Sequence, residues 1–416
     1  MAFDVGRVRA AYPALADGYA YLDGAAGTQL PEPVIDATAE AYRAGLGNSG
    51  GAFPASRRSD AITAECRQAV ADLVGGQPEG VILGPNMTTL TYRLAGTLAA
   101  GWGPGDEVVV TRLDHDANVR PWVQAATRAG ATVRWADVRL PEGDLQTAQL
   151  AELISERPRL VAVTAASNVI GTRPDVAAIT ALARAAGALS YVDGVHATPH
   201  GPVDVRELGA DFYVTSSYKW SGPHLGAVIA DPGLLDSLAP DKLAPAPSSV
   251  PERFERGTLP FADLAGMTAA VEHLAALAGP VQGEGAEGTG RRVGGGGRRE
   301  RILASMAAAE AHEQELFRVL LGGLDAMTHV TTYGKAERRT ATAYFNVAGR
   351  TPLQVAGHLA ERRINVWDGD NYAWELTGVL GIRDSGAAVR AGLVHYNDRS
   401  DVDRLLSAVH ELGAGS

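Results

Sequence analysis

From Val81 onward the chain alternates two kinds of pattern: short unbroken apolar, β-branched runs, and longer stretches with apolar positions every three or four residues. The first reads as buried strands and the second as amphipathic helices. Strands are predicted at 81–84 (VILG), 107–111 (EVVVT), 132–138 (TVRWADV), 160–167 (LVAVTAAS), 189–193 (LSYVD), 212–216 (FYVTS) and 227–231 (AVIAD). Helices are predicted between several of them, at 88–99, 117–128, 145–155 and 176–186. This alternation is the signature of an α/β fold, a mostly parallel seven-stranded sheet with helices on both faces. Upstream, the pattern gives a short strand, a small-residue turn from Gly24 to Thr28, a helix after Pro31, a loop at 48–54 and an amphipathic helix at 60–73. The small residues at 24–28 either let something approach the backbone closely or simply form a tight turn.

Composition narrows the class. A chain of 416 residues, 46% hydrophobic and 20% charged, is an ordinary soluble globular composition, with two domains as the soft expectation. A net charge of -11 supplies no basic field, which argues against a nucleic-acid or anionic-membrane partner. The first twenty residues lack the apolar core of a signal peptide, and no apolar run reaches the roughly 18 residues that span a bilayer. Cys66 is the only cysteine, so neither an intrachain disulfide nor a cysteine-rich metal site is available; a cytoplasmic protein is expected. Placed among apolar residues of the 60–73 helix, Cys66 reads as a buried structural thiol.

Candidate chemistry gathers at the predicted strand ends. In an open α/β sheet, ligands bind beyond the carboxyl ends of the strands. Asp193 ends one strand (YVDGVH) and Lys219 follows another (SSYKWSGP). Only Lys219, Lys242 and Lys335 are lysine; every other basic residue is arginine, which does not form imines. Flanked by Tyr218 and Trp220, Lys219 is open to desolvation toward the reactive free amine. An amine and a carboxylate so placed suit pyridoxal phosphate: the lysine forms a Schiff base, and the acid holds a proton on the pyridine nitrogen. The loop after VILG (GPNMTTL) opens a helix whose N-terminus, with Thr88 and Thr89, suits an anion. His115, in RLDHDANV, is placed to stack on a planar cofactor, with Asp114 and Asp116 expected to favour its protonated ring. Asn168, in SNVIGT, offers an amide to a substrate carboxylate or a phenolic oxygen. Taken singly, these also read as an N-cap, a loop histidine and a turn residue. Together they make one cofactor site.

With these motifs, and with YLDGAAGTQLPEPVIDA, RFERGTLP and AAVRAGLVHYNDRSDVDRLLSAV, the chain resembles class V (fold type I) pyridoxal phosphate enzymes over nearly its whole length. The resemblance is to the cysteine desulfurase and selenocysteine lyase-like branch. It implies that Lys219 carries the coenzyme, Asp193 pairs with the pyridinium nitrogen and His115 stacks on the ring. It implies that His196 bonds the phenolic oxygen, where the desulfurases usually have glutamine. Asn86, Met87 and Thr88 fall in the phosphate loop, and Ser216 and Tyr218 at phosphate-binding positions, Tyr218 replacing a histidine. Thr258 matches the residue that reaches the phosphate from the neighbouring subunit, which implies a homodimer. Arg390 matches the arginine that clamps the substrate α-carboxylate, and Asn168 counts among the cofactor- and substrate-binding residues. The tail fits the family's small α+β domain: a helix at 299–324, strands at 329–332 and 342–347, a helix at 352–363, a strand in 388–396 and a helix at 400–412. The expected organisation is an N-terminal segment (1–30) packing with the small domain, a large domain (31–278), a flexible glycine-rich insertion (279–299) and the small domain (300–416).

One departure bears on the reaction. Desulfurases carry a nucleophilic cysteine on a small-domain loop, and matching INVWDGDNYAWELTG to it places Tyr372 at or next to that position. Trp367 stands where a second substrate-binding arginine often sits. A phenol cannot accept sulfur as a persulfide, because that step needs a thiolate. The expectation is therefore β-elimination from a small, cysteine-type amino acid. Aminotransfer or epimerisation is the alternative, and a non-catalytic binding protein on the same fold a third.

Overall fold

The computed structural model describes residues 3–154, 157–279 and 297–413. All seven predicted strands lie in one sheet, ordered Val81–Gly84, Gly226–Ala230, Phe212–Ser216, Leu189–Asp193, Pro158–Thr164, Glu107–Thr111 and Thr132–Ala136. Gly226–Ala230 runs antiparallel to both neighbours; the other pairings are parallel. Alternate side chains feed two apolar layers, as the two-residue strand period requires. Val109, Val161, Val163, Val192 and Tyr213 face one layer; Val108, Val110, Ala162, Tyr191 and Val214 face the other. The central strands are buried on both faces, which is why their sequences are unbroken apolar runs.

Several boundaries differ from the sequence expectation. The strand predicted at 132–138 ends at Ala136, and Val138–Arg139 pairs instead with Asp144–Leu145 in a separate small hairpin. Leu145 is thereby taken up, and the helix predicted from 145 begins at Thr147; residues 155–156 lie outside the described residues. The strand predicted at 160–167 is Pro158–Thr164, ending where the Ala165 N–H turns to the Asp193 carbonyl. The helix predicted from 117 starts at Arg120, with Pro121 in its first turn and a 3-10 turn, Asp116–Asn118, before it. Phe261–Ala275, unrecognised in the sequence, is a helix packed against Glu32–Ala44, Pro54–Val74 and Arg298–Asp325. Enclosed on several sides, it carries no polar stripe to reveal its period.

The C-terminal region forms a four-stranded antiparallel sheet, ordered Val330–Tyr333, Thr342–Val347, Ala388–Gly392 and Trp367–Gly369. Its core joins Phe345 and Val389 to Leu320 of the long helix and to Leu405 and Val409 of the last helix. Ala20–Tyr21 pairs in parallel with Ile364–Asn365, and Ala20 and Leu22 enter this same core. Arg9 bridges to Asp398 and Asp401, whereas Val8 and Tyr12 pack into the main core. The N-terminal segment thus touches both parts. What approaches the small residues at 24–28 is protein: a side chain on Gly24 would meet Val394 Cγ1 at 2.6 Å, and one on Gly392 the Ala25 nitrogen at 2.8 Å. Of the expected insertion at 279–299, residues 280–296 lie outside the described residues. Arg298 and Arg299 belong to the helix, held by Glu65, Asp72 and Glu272 and by Asp204 respectively.

Candidate active site

Leu189–Asp193 and Phe212–Ser216 are parallel neighbours in register (Asp193 opposite Val214), so both carboxyl ends open on one edge of the sheet. Lys219 sits in the connection from Phe212–Ser216 back into Gly226–Ala230. Trp220, fully buried, anchors this turn through its Nε1–H to Thr215 Oγ1 at 3.0 Å. Thr28 clamps it from the N-terminal segment: its N–H donates to the Tyr218 carbonyl at 2.8 Å, and its hydroxyl accepts the Ser221 N–H at 2.7 Å. Ser221 holds a left-handed φ of 65°, a conformation that serine adopts only when its surroundings fix it. The Lys219 side chain is buried and forms no hydrogen bond or salt bridge among the described residues. Burial first, then the Arg390 charge, lowers its pKa to about 8, against the opposing pull of Asp193.

Asp193 is buried, accepts the Val195 N–H at 2.9 Å, and is raised by burial to about 6, partly offset by that bond and by Lys219. Behind it, burial raises Asp114 to about 8 despite hydrogen bonds to Thr111 and Asn118. At neutral pH the charge therefore resides on Asp193. His115 corrects the sequence expectation of a protonated ring. Burial, Lys219 and Arg390 push its pKa down to about 3, and its Nδ1 accepts the Ala117 N–H at 3.0 Å. The flanking acids do not compensate, because Asp114 points to Thr111 and Asn118 and Asp116 pairs with Arg120. The imidazole is neutral, with its proton on Nε2.

Lys219, Asp193 and His115 line a narrow cleft together with Met87, Thr88, Thr164, Asn168, His196 and Tyr218. Met87–Ala99 begins there, its Met87 N–H on Ser216 Oγ at 3.1 Å and its N-cap Asn86 accepting the Thr89 N–H at 2.8 Å. Three buried polar atoms around the cleft have no hydrogen-bond partner among the described residues: Asn168 Oδ1, His196 Nδ1 and Arg390 Nε. Arg390 is 4% exposed and, among the described residues, donates one bond, to the Asn168 carbonyl at 3.0 Å, with no carboxylate bonded to it.

The sequence model of the aminotransferase class-V family matches residues 20–280 and 301–405. The chain belongs to that family. An uncharacterized protein of Mycobacterium tuberculosis is 38% identical over 99% of this chain and 100% of its own. A cysteine desulfurase of Klebsiella pneumoniae is 32% identical over 99% of each. Among solved structures, the cysteine desulfurase CsdA of Escherichia coli superposes with a TM-score of 0.84 at 28% identity, covering 100% of this chain and 99% of its own. Cysteine desulfurase of Thermococcus onnurineus NA1 gives 0.87 at 26% identity, covering 99% and 98%.

Pyridoxal phosphate is the coenzyme of this class-V chain, and the cleft fits it. An unpartnered buried amine and an ionised acid lie at adjacent strand ends, and the helix N-terminus, whose Met87 and Thr89 N–H groups are already bonded, leaves the Thr88 N–H and the helix dipole for an anion. A polar ligand, or ordered water in its place, would satisfy the three orphaned polar atoms. Of the other residues singled out in the sequence, Asn86 and Ser216 lie behind this wall as cap and strut. Tyr218 stacks on His224 at 4.8 Å. Tyr372 is 71% exposed and does not line the cleft, but its ring stacks on His115 at 5.3 Å. Its loop is tied down by Asn168 Nδ2 on the Asn371 carbonyl at 2.8 Å and the Asp116 N–H on the Tyr372 carbonyl at 2.7 Å. Trp367 is half exposed, sits opposite Arg390 in strand register and does not line the cleft. Thr258 lines a different, larger cleft of ≈ 780 Å³ with Arg67, Glu255 and Phe261. Sequence reasoning missed Thr164, Thr340 and Thr342. The last two, spaced as same-face neighbours in a short β run (TATAYF), carried only that faint signal.

Proposed function

We propose that this chain is a pyridoxal phosphate-dependent C–S lyase that eliminates the β-substituent of a small cysteine-type amino acid, working as a homodimer. The observation that carries the reading is the combination of an intact amine–acid pair with the absence of a thiol at the cleft. The only cysteine, Cys66, is buried in the Pro54–Val74 helix, where burial raises its pKa to about 12. A sulfur-accepting thiolate is not available from it.

Arg390 is suited to the substrate carboxylate, which would give its buried guanidinium a directly bonded counter-charge in addition to the nearby Asp23. Asp193 would keep the ring nitrogen protonated, and neutral His115 would cover the ring without adding positive charge. When bound, pyridoxal phosphate supplies a sink for the electron pair left at Cα. The Lys219 amine takes the Cα proton; with a pKa near 8 a usable fraction is unprotonated at neutral pH. The Cβ–S bond then breaks with departure of thiol or sulfide, and hydrolysis of the remaining three-carbon unit gives pyruvate and ammonia.

The test is to incubate the coenzyme-loaded protein with cysteine, its S-conjugates and other small amino acids, assaying pyruvate and sulfide or thiol. Elimination predicts both products with the coenzyme's visible band retained. Conversion of the coenzyme to pyridoxamine phosphate with release of an oxo acid would replace this reading by aminotransfer. Inversion at Cα alone would replace it by epimerisation. Binding with no product from any amino acid would favour a non-catalytic protein.

A further inference from the structure

His115 lies in the connection between the Glu107–Thr111 strand and the Arg120–Ala129 helix, with one arginine at each end of that connection. Both arginines reach the same carboxylate, from the C-terminal region. Arg112 Nη1 donates to Glu375 Oε2 at 3.0 Å, and Arg120 Nη2 donates to Glu375 Oε1 at 2.8 Å. Each guanidinium is oriented by further neighbours. Arg112 donates through Nε to Asp137 at 2.6 Å and lies over the Trp135 ring at 4.8 Å; Arg120 Nη2 also donates to Asp116 at 2.7 Å. Two planar forks held this way define one seat for a carboxylate between them. The Glu375 side chain is only 15% exposed, so this clamp is better sheltered than an ordinary surface ion pair.

Glu375 opens the short Trp374–Val379 helix, directly after a strained loop. Asn371 and Tyr372 hold left-handed φ values of 50° and 60°, two consecutive non-glycine residues in a region that side chains disfavour. Asp370 braces them from within: its carboxylate accepts the Tyr372 N–H at 2.8 Å, and its carbonyl accepts the Ala373 N–H at 2.8 Å. The bonds from Asn168 and from the Asp116 N–H brace them from the large sheet. This conformation lays the Tyr372 ring on His115 from outside the cleft, with 24° between the ring planes. One ring contact is too weak to keep an exposed, strained loop in place; Glu375 supplies a charged tie immediately beyond it.

We propose that Glu375 is a positioning residue for His115: its single carboxylate fastens both ends of the loop that carries this imidazole, and so fixes how the ring lies over the coenzyme. The inference rests on the reading of His115 as the group that covers the coenzyme ring. Glu375, Arg112 and Arg120 do not line the cleft, so they act through the loop and not by contact. Without the carboxylate, Arg112 keeps Asp137 and Arg120 keeps Asp116, but the two ends are no longer joined to the C-terminal region. The left-handed pair at 371–372 then loses its charged anchor, and His115 gains further orientations.

The readout is the circular dichroism of the coenzyme's visible band in the loaded protein, which a planar ring acquires only from fixed, asymmetric surroundings. Glu375→Gln keeps the shape but not the charge; its amide oxygen serves one arginine and its N–H groups oppose the other. It should lower the dichroism by about half, as for a ring cover shared between two orientations. It should lower kcat about tenfold with KM little changed, since misplacing a group at the reacting centre costs rate more than binding. Urea unfolding of the coenzyme-free variant should match wild type closely. Arg112→Met with Arg120→Met should reproduce the loss, and adding Glu375→Gln to that pair should add nothing. If the arginine pair variant does not fold, Arg112→Met alone opens one arm and should give a smaller loss of the same kind. Glu375→Gln should likewise add nothing to His115→Ala. Wild-type dichroism and kcat in Glu375→Gln, a change in urea unfolding alone, or a loss that adds to that of His115→Ala would overturn the inference. Failure of the underlying reading is recognisable separately: His115→Ala would then itself leave the dichroism unchanged.

Discussion

Lys219 and Arg390 are buried cations without a salt bridge among the described residues, so each is held by the fold at a cost that its chemistry explains. For Lys219 the sign follows from the depressed pKa. Between pH 8 and 10.5 the unfolded chain binds the proton that the folded chain has lost, so this group's penalty shrinks as pH rises through that window and is largest below it. Lys219→Met should therefore make the coenzyme-free protein more stable than wild type at pH 7. That advantage should fall by on the order of 1 kcal/mol at pH 9, read from urea unfolding at both values. An advantage that does not change with pH would mean that packing, not charge, sets it. Arg390→Met separates stability from function in the same way. Coenzyme-free unfolding should show no loss of stability, because a buried unpaired charge is removed, whereas KM for a carboxylate substrate should rise at least about 100-fold. His115 shows why such states are hard to foresee from neighbours in sequence. Asp114 and Asp116 flank it along the chain, yet their carboxyls are engaged elsewhere, and the charges that reach the ring come from Lys219 and Arg390.

At the level of elements, the anion-binding end of Met87–Ala99 depends on the strand lying against it. A Cβ at Gly226 would meet the Asn86 carbonyl carbon at 2.5 Å and the Met87 nitrogen at 2.7 Å, both backbone atoms that cannot swing aside. Gly226→Ala should thus displace the helix start and weaken coenzyme binding at least about tenfold, measured by fluorescence or absorbance titration, since positioned N–H donors lose strength rapidly with misalignment. A variant with unchanged affinity would show that this helix end does not hold the phosphate. The same sheet was readable in the sequence because strands buried on both faces leave unbroken apolar runs, and Lys219 stood out because only three lysines exist. Asp193 followed from its place at a strand end. Phe261–Ala275 was not readable, since a helix enclosed by other helices shows no polar face. Nor was the pairing of His196 with Thr340 and Thr342, which lie 144 and 146 residues away and meet only through packing of the two sheets. The loop at 370–372 was placed by resemblance alone; its ties to Asn168 and Asp116 use backbone carbonyls, which no side-chain pattern announces.

At the scale of the whole molecule, Thr258 is decisive because its cleft shares no lining residue with that of Lys219. If it serves a phosphate site, it serves one on another subunit, and a two-fold dimer would supply two such shared sites. Complementation makes this measurable. Thr258→Asp, which sets a negative charge toward the phosphate, and Lys219→Ala, which removes the amine, should each abolish turnover as pure proteins. In a randomly assorted mixture, half of the dimers are mixed, and each mixed dimer has one site with an intact Lys219 and a Thr258 from the other subunit. Activity should therefore return to roughly a quarter of the wild-type value per subunit, as follows from two-fold symmetry. If Thr258 acted within its own chain, every site in the mixture would still lack one of the two groups, and mixing would restore nothing. The returned activity should also fall away on dilution below the dimer dissociation constant, which a monomeric enzyme could not do.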